Sequence, residues 1–522
     1  MKKIEIFDST LRDGAQSEGI SFSVQDKLNI VKTLDDFGVA YIEAGNPGSN
    51  PKDIEFFEKV KELELKNATL CAFGSTRRKN ISVKDDENIR SLLAANTPAV
   101  AIFGKSWDLH IAEILGISEE ENLALVYDTV SYLKEHEREV IFDAEHFFDG
   151  YKANPSCAMA VLEAAVNGGA DVVALCDTNG GTLPDEVFAI TQTVRKRYPN
   201  IRLSIHCHND TDCAVANSML AVSAGADQVQ GTFIGIGERC GNADLSIIIP
   251  NLELKAGYKC IDGNMAALAS TVYRVYEIAN LVPPINKPYT GASAFAHKGG
   301  MHIDGVNKCN HSFEHICPEE VGNKRRFLMS EMSGRTTVIS KLTAVAPELA
   351  KNSPETKVIL DRLKELEHEG YQFESADASF ELLVLNILGR FRSHFNLQMY
   401  KTSGEHPAPD GELTAYALVK IAVGENTETA AALGNGPVNA LDLALRRALS
   451  IFYPQVKEIH LTDYKVRVLA GSEATGSKVR VLIDNTDGKK VWTTVGVSTD
   501  IIEASRIALV DAIEYYLYLR EA

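Results

Sequence analysis

Two histidines spaced as His206-x-His208 follow one apolar run, and an Arg12-Asp13 pair follows another. On a strand, residues i and i+2 point to one face, so the two imidazoles can grip one metal ion while Cys207 points away. Two hydrogen-bonded histidines in a polar core are the competing reading of that spacing. An aspartate joined to two histidines suits a divalent metal with positions left open to a chelating oxygen ligand. Asp143-Ala-Glu145 and Cys176-Asp-Thr178 end two more runs, and strand alternation puts Asp143 and Glu145 on one face. Taken singly, each is better explained as a structural carboxylate or a turn cap. Gathered at one face, they become candidate site residues. The segment 231–242 ends in Gly-Glu-Arg-Cys-Gly-Asn. Its glycines let a backbone approach a ligand, and the Asn242 amide oxygen can add a weak fourth contact to a metal. The plainer reading is a turn with Glu238 and Arg239 ion-paired and Cys240 serving as packing.

These groups need a scaffold that brings strand ends together. Eight short β-branched runs, at 4–7, 39–42, 68–73, 99–103, 140–143, 171–175, 202–205 and 228–232, alternate with helical patterns such as 26–37, 118–136 and 184–197. That count and spacing predict a (β/α)8 barrel over 1–284, closed by a helix at 264–281, with its functional groups at the strand ends. In a closed barrel, strands one and seven are near neighbours, which brings Asp13 towards His206 and His208. A doubly wound sheet would carry a Gly-rich phosphate turn after its first strand, where this chain has Thr-Leu-Arg-Asp-Gly. Residues 285–375 read as a connecting region, with Gly- and His-rich loops and then helices at 337–342 and 354–368. From 376 to 522 the order helix, three strands, helix, three strands, helix forms an internal repeat, and Gly434 and Gly496 fall at matching points before the last helix of each half.

With 71 acidic against 53 basic residues, a net charge of -18 argues against nonspecific binding to nucleic acid or an anionic membrane. An anionic ligand would need a local basic pocket. The Met-Lys-Lys start has no apolar region behind it, and nine irregularly spaced cysteines without a CxxC pair read as reduced thiols. The expected location is the cytoplasm, with no membrane span.

Together, Asp-Ser-Thr-Leu-Arg-Asp-Gly at 8–14, His-Cys-His-Asn-Asp at 206–210, Gly-Ile-Gly-Glu-Arg-Cys-Gly-Asn at 235–242 and the C-terminal repeat resemble the isopropylmalate, homocitrate and citramalate synthase family of acyl-CoA Claisen enzymes. The resemblance covers nearly the whole chain. Residues 14–24 and 45–53 look most like the citramalate-forming branch, which condenses acetyl-CoA with pyruvate, whereas isopropylmalate synthases use 2-oxoisovalerate. A metal-dependent retro-aldol lyase on the same barrel and an amino-acid sensor with an inert barrel are the readings from other classes. The resemblance implies a divalent metal (manganese, magnesium, zinc or cobalt) on Asp13, His206 and His208, with Asn242 nearby. It places Arg12 at the oxo-acid oxygen and Thr178 at the oxo-acid carboxylate, and it gives Glu145 and His302 a part in removing the methyl proton. It also implies a homodimer with an isoleucine-binding regulatory domain, whose candidate pocket residues are Asn435, Gly436, Pro437, Thr475 and Val497. Two departures from the family pattern are Ser9, where threonine is commoner, and Met332, where many relatives have histidine.

Overall fold

The eight runs become eight strands: β1 (Glu5–Asp8), β2 (Tyr41–Glu43), β3 (Thr69–Ser75), β4 (Ala99–Lys105), β5 (Glu139–Glu145), β6 (Val172–Asp177), β7 (Arg202–Cys207) and β8 (Gln228–Gly231). The computed structural model describes residues 2–328, 342, 345–346, 349, 353–373, 375–404, 415–469, 476–488 and 490–521. All eight strands are parallel, and β8 pairs back to β1 from Glu5↔Gln228 to Asp8↔Gly231, closing the barrel. Several strands run further than the apolar pattern suggested. β5 continues through Glu145 and β6 through Asp177, so those carboxylates stand on rigid strand ends rather than in loops.

Helix boundaries follow capping chemistry. The first long helix, Val24–Phe37, is opened by a Ser23–Asp26 capping box and buries Ile30, Val31, Leu34 and Phe37. The helix expected at 264–281 is shorter, Leu268–Ile278. Asn264 caps a separate 3-10 turn before it, and Asn280 takes a left-handed φ of 55° after it. Phe7, Tyr41, Cys71, Ala99, Ala101, Ile141 and Val172 fill the barrel interior. At the N-terminal ends of the strands, Arg202 pairs with Glu5 at 3.1 Å and with Glu139, which also accepts from the Tyr41 hydroxyl at 2.9 Å.

The chain divides into two compact units, Met1–Phe295 with Glu314–Arg325, and Ala296–Phe313 with Arg326–Ala522. The second contains the helix Pro354–Glu369 and two antiparallel three-stranded sheets. Asn396–Gly404, Ala415–Val423 and Asn426–Gly434 precede the helix Pro437–Leu449. His460–Val468, Val479–Thr486 and Val491–Ser498 precede the helix Ile501–Glu521. The matching glycines have one physical cause: a Cβ on Gly434 would lie 2.5 Å from the Ala440 amide, and one on Gly496 would lie 2.0 Å from the Ala504 carbonyl. Each helix therefore packs against its sheet where a side chain cannot fit. The expected helix at 337–342 lies outside the described residues except for its last position. Among the described residues, no helix is long and apolar enough to cross a membrane.

Candidate active site

The turn after β1 is folded by its own polar groups. Asp8 accepts from the Thr10 amide at 3.0 Å and the Thr10 hydroxyl at 2.8 Å, and the Thr10 oxygen in turn accepts from the Phe233 amide at 2.8 Å. Burial pushes the Asp8 carboxyl up to about 7 against those hydrogen bonds. The pinned turn delivers Asp13 to the barrel axis, where its Oδ2 lies 3.2 Å from His206 Nε2 and 3.8 Å from His208 Nε2. All three side chains are buried, and one potential ligand atom from each lies within 4.8 Å of the others.

A second layer orients this trio. Gln230 donates through its amide nitrogen to Asp143 at 2.9 Å, so its oxygen is turned to His206 Nδ1, also at 2.9 Å. Nδ1 then carries the proton facing Gln230, and Nε2 faces Asp13. Burial opposes ionisation of Asp13, but the Arg12 charge and the His206 hydrogen bond outweigh it and hold the carboxyl well below its usual range. Burial likewise opposes an imidazolium at His206, yet Asp13 raises its pKa. For His208, burial and the His206 charge push it down to about 3. One imidazole is thus kept neutral beside an ionised carboxylate, a donor set ready for a divalent cation.

One unpaired atom fits the same ligand. The Asn242 amide oxygen is buried with no hydrogen-bond partner among the described residues, and His208 and Asn242 are joined by a backbone bridge. An orphaned buried acceptor costs about 1–3 kcal/mol, which a bound cation or a ligand would recover. A Cβ on Gly237 would lie 2.1 Å from the Asn242 side-chain nitrogen, so glycine there lets Asn242 lie close.

A cavity of about 230 Å³ opens onto the trio, lined also by Arg12, Phe73, Phe103, Asp143, Glu145 and Thr178. Arg12 donates through Nε to Glu43 at 2.7 Å, lies 3.5 Å from Asp13 and has its guanidinium 3.8 Å from the centre of the Phe73 ring. Burial opposes its charge, but Glu43 and Asp13 keep it protonated at any ordinary pH. Glu43 is fully buried. It accepts from the Ser9 hydroxyl as well, and its other oxygen has no partner among the described residues. No motif singled out Glu43, although a charged residue ending an apolar run was the same cue that drew attention to Asp13. Lys105 pairs closely with Glu145. The Thr178 oxygen accepts from the His146 amide at 2.9 Å, which leaves its O–H as a donor. Asp143 is pushed up to about 6 by burial and the nearby Glu43 carboxylate.

Glu238 and Arg239 do pair, at 3.6 Å, but Arg239 holds Asp210 more closely at 2.8 Å and donates to the Thr178 carbonyl, tying together the loops after β6, β7 and β8. Cys240 is exposed, so the packing role expected of it is wrong. The left-handed Arg239 and Gly241 beside it turn the loop outwards. His302 belongs to the second unit, in the helix Gly300–Lys308, where it is exposed and stacked on Phe313 at 4.5 Å. Asn435 and Gly436 form the turn before Pro437, the first residue of its helix. Val497 packs in a cluster with Leu363, Phe373 and Val384, and Thr475 lies outside the described residues.

Comparison with known proteins follows the same order along the chain. The HMGL-like family model matches residues 3–282, the homocitrate synthase post-HMGL domain-like model 289–371, and the LeuA allosteric (dimerisation) domain 374–517. An (R)-citramalate synthase of Aquifex aeolicus is 53% identical over 99% of this chain and 98% of its own length. One from Geobacter sulfurreducens is 49% identical over 100% of this chain and 99% of its own. A 2-isopropylmalate synthase of Brevibacillus brevis is more distant, at 35% over 98% of this chain and 97% of its own. With its barrel, its following segments and its terminal repeat all matched in order, the chain belongs to the isopropylmalate, homocitrate and citramalate synthase family, on the branch of the (R)-citramalate synthases.

Proposed function

We propose that the protein joins the acetyl group of acetyl-CoA to pyruvate and, with water, releases CoA and (R)-citramalate, feeding isoleucine formation. The observation that carries this reading is the Asp13, His206 and His208 cluster in a pocket of about 230 Å³ with Arg12, Glu145 and Thr178 on its wall. Asp13, His206 and His208, with Asn242, would hold a divalent ion, manganese, magnesium, zinc or cobalt, which when bound polarises the 2-oxo carbonyl.

Arg12, fixed by Glu43, meets the negative charge that grows on the 2-oxo oxygen during condensation. The Thr178 hydroxyl donates to the oxo-acid carboxylate. Glu145, fixed by Lys105 at the pocket wall, takes part in removing the acetyl methyl proton. The family resemblance adds His302 to that step. Phe73 and Phe103, stacked at 5.5 Å, form the apolar wall that the oxo-acid side chain meets. Each methylene of difference gives only about 10–200-fold selectivity, so 2-oxoisovalerate is the substrate to test against.

The second unit supports a regulated homodimer. The first sheet has a helix on the face of Ala417 and Val419, while Tyr416 and Leu433, paired on the opposite face, are exposed, and Val466 and Val468 are exposed on an edge strand of the second sheet. Isoleucine is the proposed effector, at the turn containing Asn435, Gly436 and Pro437 together with Thr475 and Val497. Release of free thiol from acetyl-CoA with pyruvate, 2-oxoisovalerate or no oxo acid tests the reaction. Turnover with 2-oxoisovalerate but not pyruvate would make the protein an isopropylmalate synthase, and no release with any oxo acid would favour the lyase. Activity unchanged at saturating isoleucine would remove the effector assignment.

A further inference from the structure

The charged pair Lys27–Asp53 is not among the residues lining the catalytic pocket. Lys27 on the helix Val24–Phe37 and Asp53 on the helix Pro51–Lys59 are both almost fully buried, with Lys27 Nζ 2.5 Å from Asp53 Oδ1. A buried ion pair is a poor stabiliser, because the cost of taking two charges out of water about cancels their attraction. The other hydrogen bonds of the pair all go to one segment. Lys27 Nζ also donates to the Ala44 carbonyl at 3.0 Å, and Asp53 Oδ2 accepts from the Asn46 amide at 3.2 Å and from the Asn50 side chain at 3.3 Å. A Cβ on Gly45, whose φ is 141°, would lie 2.9 Å from both Lys27 Nζ and Asp53 Oδ2, so the backbone runs directly against the pair.

The segment held in this way carries both supports of Arg12. Glu43, which accepts from Arg12 Nε at 2.7 Å, immediately precedes Ala44. The Gly45 carbonyl accepts from the Phe73 amide at 3.0 Å, and the Phe73 ring carries the Arg12 guanidinium 3.8 Å from its centre. Packing is sparse on this side. A cavity of about 340 Å³ is lined by Lys27, Asp53, Gly45 and Asn46 together with Arg12 and Phe73, and the last two also border the catalytic pocket. Where open space replaces close-packed neighbours, the position of a backbone segment depends on its polar bonds, and here those run to the pair.

We propose that Lys27 and Asp53 are positioning residues for the reaction: through Ala44, Gly45 and Asn46 they fix Glu43 and Phe73, and these two aim Arg12 at the oxo-acid oxygen. The proposal rests on the reading that Arg12 meets the charge growing on that oxygen. It gives a pair that is costly to desolvate a role in rate rather than in stability.

The test compares the full-length protein with a variant carrying Lys27→Met and Asp53→Asn, which removes both charges at nearly constant volume and leaves neither one buried alone. Hydrogen exchange over residues 43–50 should quicken by about 10-fold or more, while exchange over 30–37 and the thermal midpoint change little. The kcat should fall roughly 10- to 100-fold, the loss that follows a displacement of about 1 Å at a reacting centre, with KM for acetyl-CoA unchanged. Asp53→Asn alone, which leaves Lys27 its bond to Ala44, should show the same changes to a smaller extent. In Lys27→Ala, propylammonium has the length of the missing atoms and can enter through the cavity, so it should restore kcat where propanol does not. Wild-type exchange over 43–50 in the folded double variant, or quickened exchange with a wild-type kcat, would overturn the assignment. Equal recovery with propanol would make the effect one of packing and overturn it too. Quickened exchange in the variant, beside a wild-type protein that releases no thiol with any oxo acid, would uphold the hold on the segment and overturn the reaction.

Discussion

The two ends of the barrel both gather charge, and they do so to opposite effect. At the N-terminal ends of the strands, Arg202, Glu5, Glu139 and Tyr41 pair with one another, and the buried atoms nearby with no partner among the described residues include the Gln228 amide oxygen, the Ser204 hydroxyl and Arg138 Nε. At the C-terminal ends, Asp13, His206 and His208 converge on a cavity, while Glu43, His208 and Asn242 each keep a buried polar atom with no partner among the described residues. The Arg202 cluster at the first end satisfies its charges internally and contributes to stability. The second leaves them incomplete, which a fold tolerates where a ligand completes them.

The largest effect that tests this contrast is His206→Ala. Activity should fall by on the order of 10³-fold or more with the metal site broken, and metal content by elemental analysis should fall with it. Stability with chelator present should change far less than activity. Full metal content in the variant would show that His206 is not a ligand.

Next is the pH dependence of Asp8. Its folded pKa of about 7 lies above the ordinary value of 3.8, so the folded state holds the proton more tightly than the unfolded chain. The unfolded chain loses its proton first, and the Asp8 contribution to stability therefore falls as pH rises from about 4 to about 7. Asp8→Asn removes that slope. Its stability relative to wild type should climb across this window by at most about 4 kcal/mol, measured by urea unfolding at several pH values. A constant difference would show that Asp8 does not titrate there.

Glu43→Gln releases the grip on Arg12 and should lower kcat by about 10²-fold, with a smaller change in KM for the oxo acid. A wild-type kcat would mean that Arg12 does not depend on Glu43. Smallest is Arg202→Met at the other end, which should cost about 1–3 kcal/mol of stability and leave kcat and KM unchanged. A loss of catalysis there would erase the distinction between the two ends.

Much of this arrangement was legible in the sequence because its signals are local. The eight β-rich runs, the HxH alternation and the paired glycines at 434 and 496 each depend on neighbours a few residues away. What the sequence did not reveal depends on barrel closure. Glu43 meets Arg12 across 31 residues, and Gln230 meets Asp143 across 87. A basic cavity beside the catalytic pocket is a further case. Arg77, Arg78 and Lys79 were not singled out in the sequence, and only β4 and the turn at His110–Leu115 place an apolar wall beside them. Strand ends extended for the same reason. Glu145 and Asp177 are polar and break the apolar pattern, yet ladder pairing carries β5 and β6 through them.

The most direct test of the central claim is thiol release from acetyl-CoA with pyruvate by the full-length protein, after chelation and again after each divalent metal is restored. Release should disappear with the metal, return with it, and be weaker with 2-oxoisovalerate. Equal release with and without metal, or release with 2-oxoisovalerate alone, would contradict it.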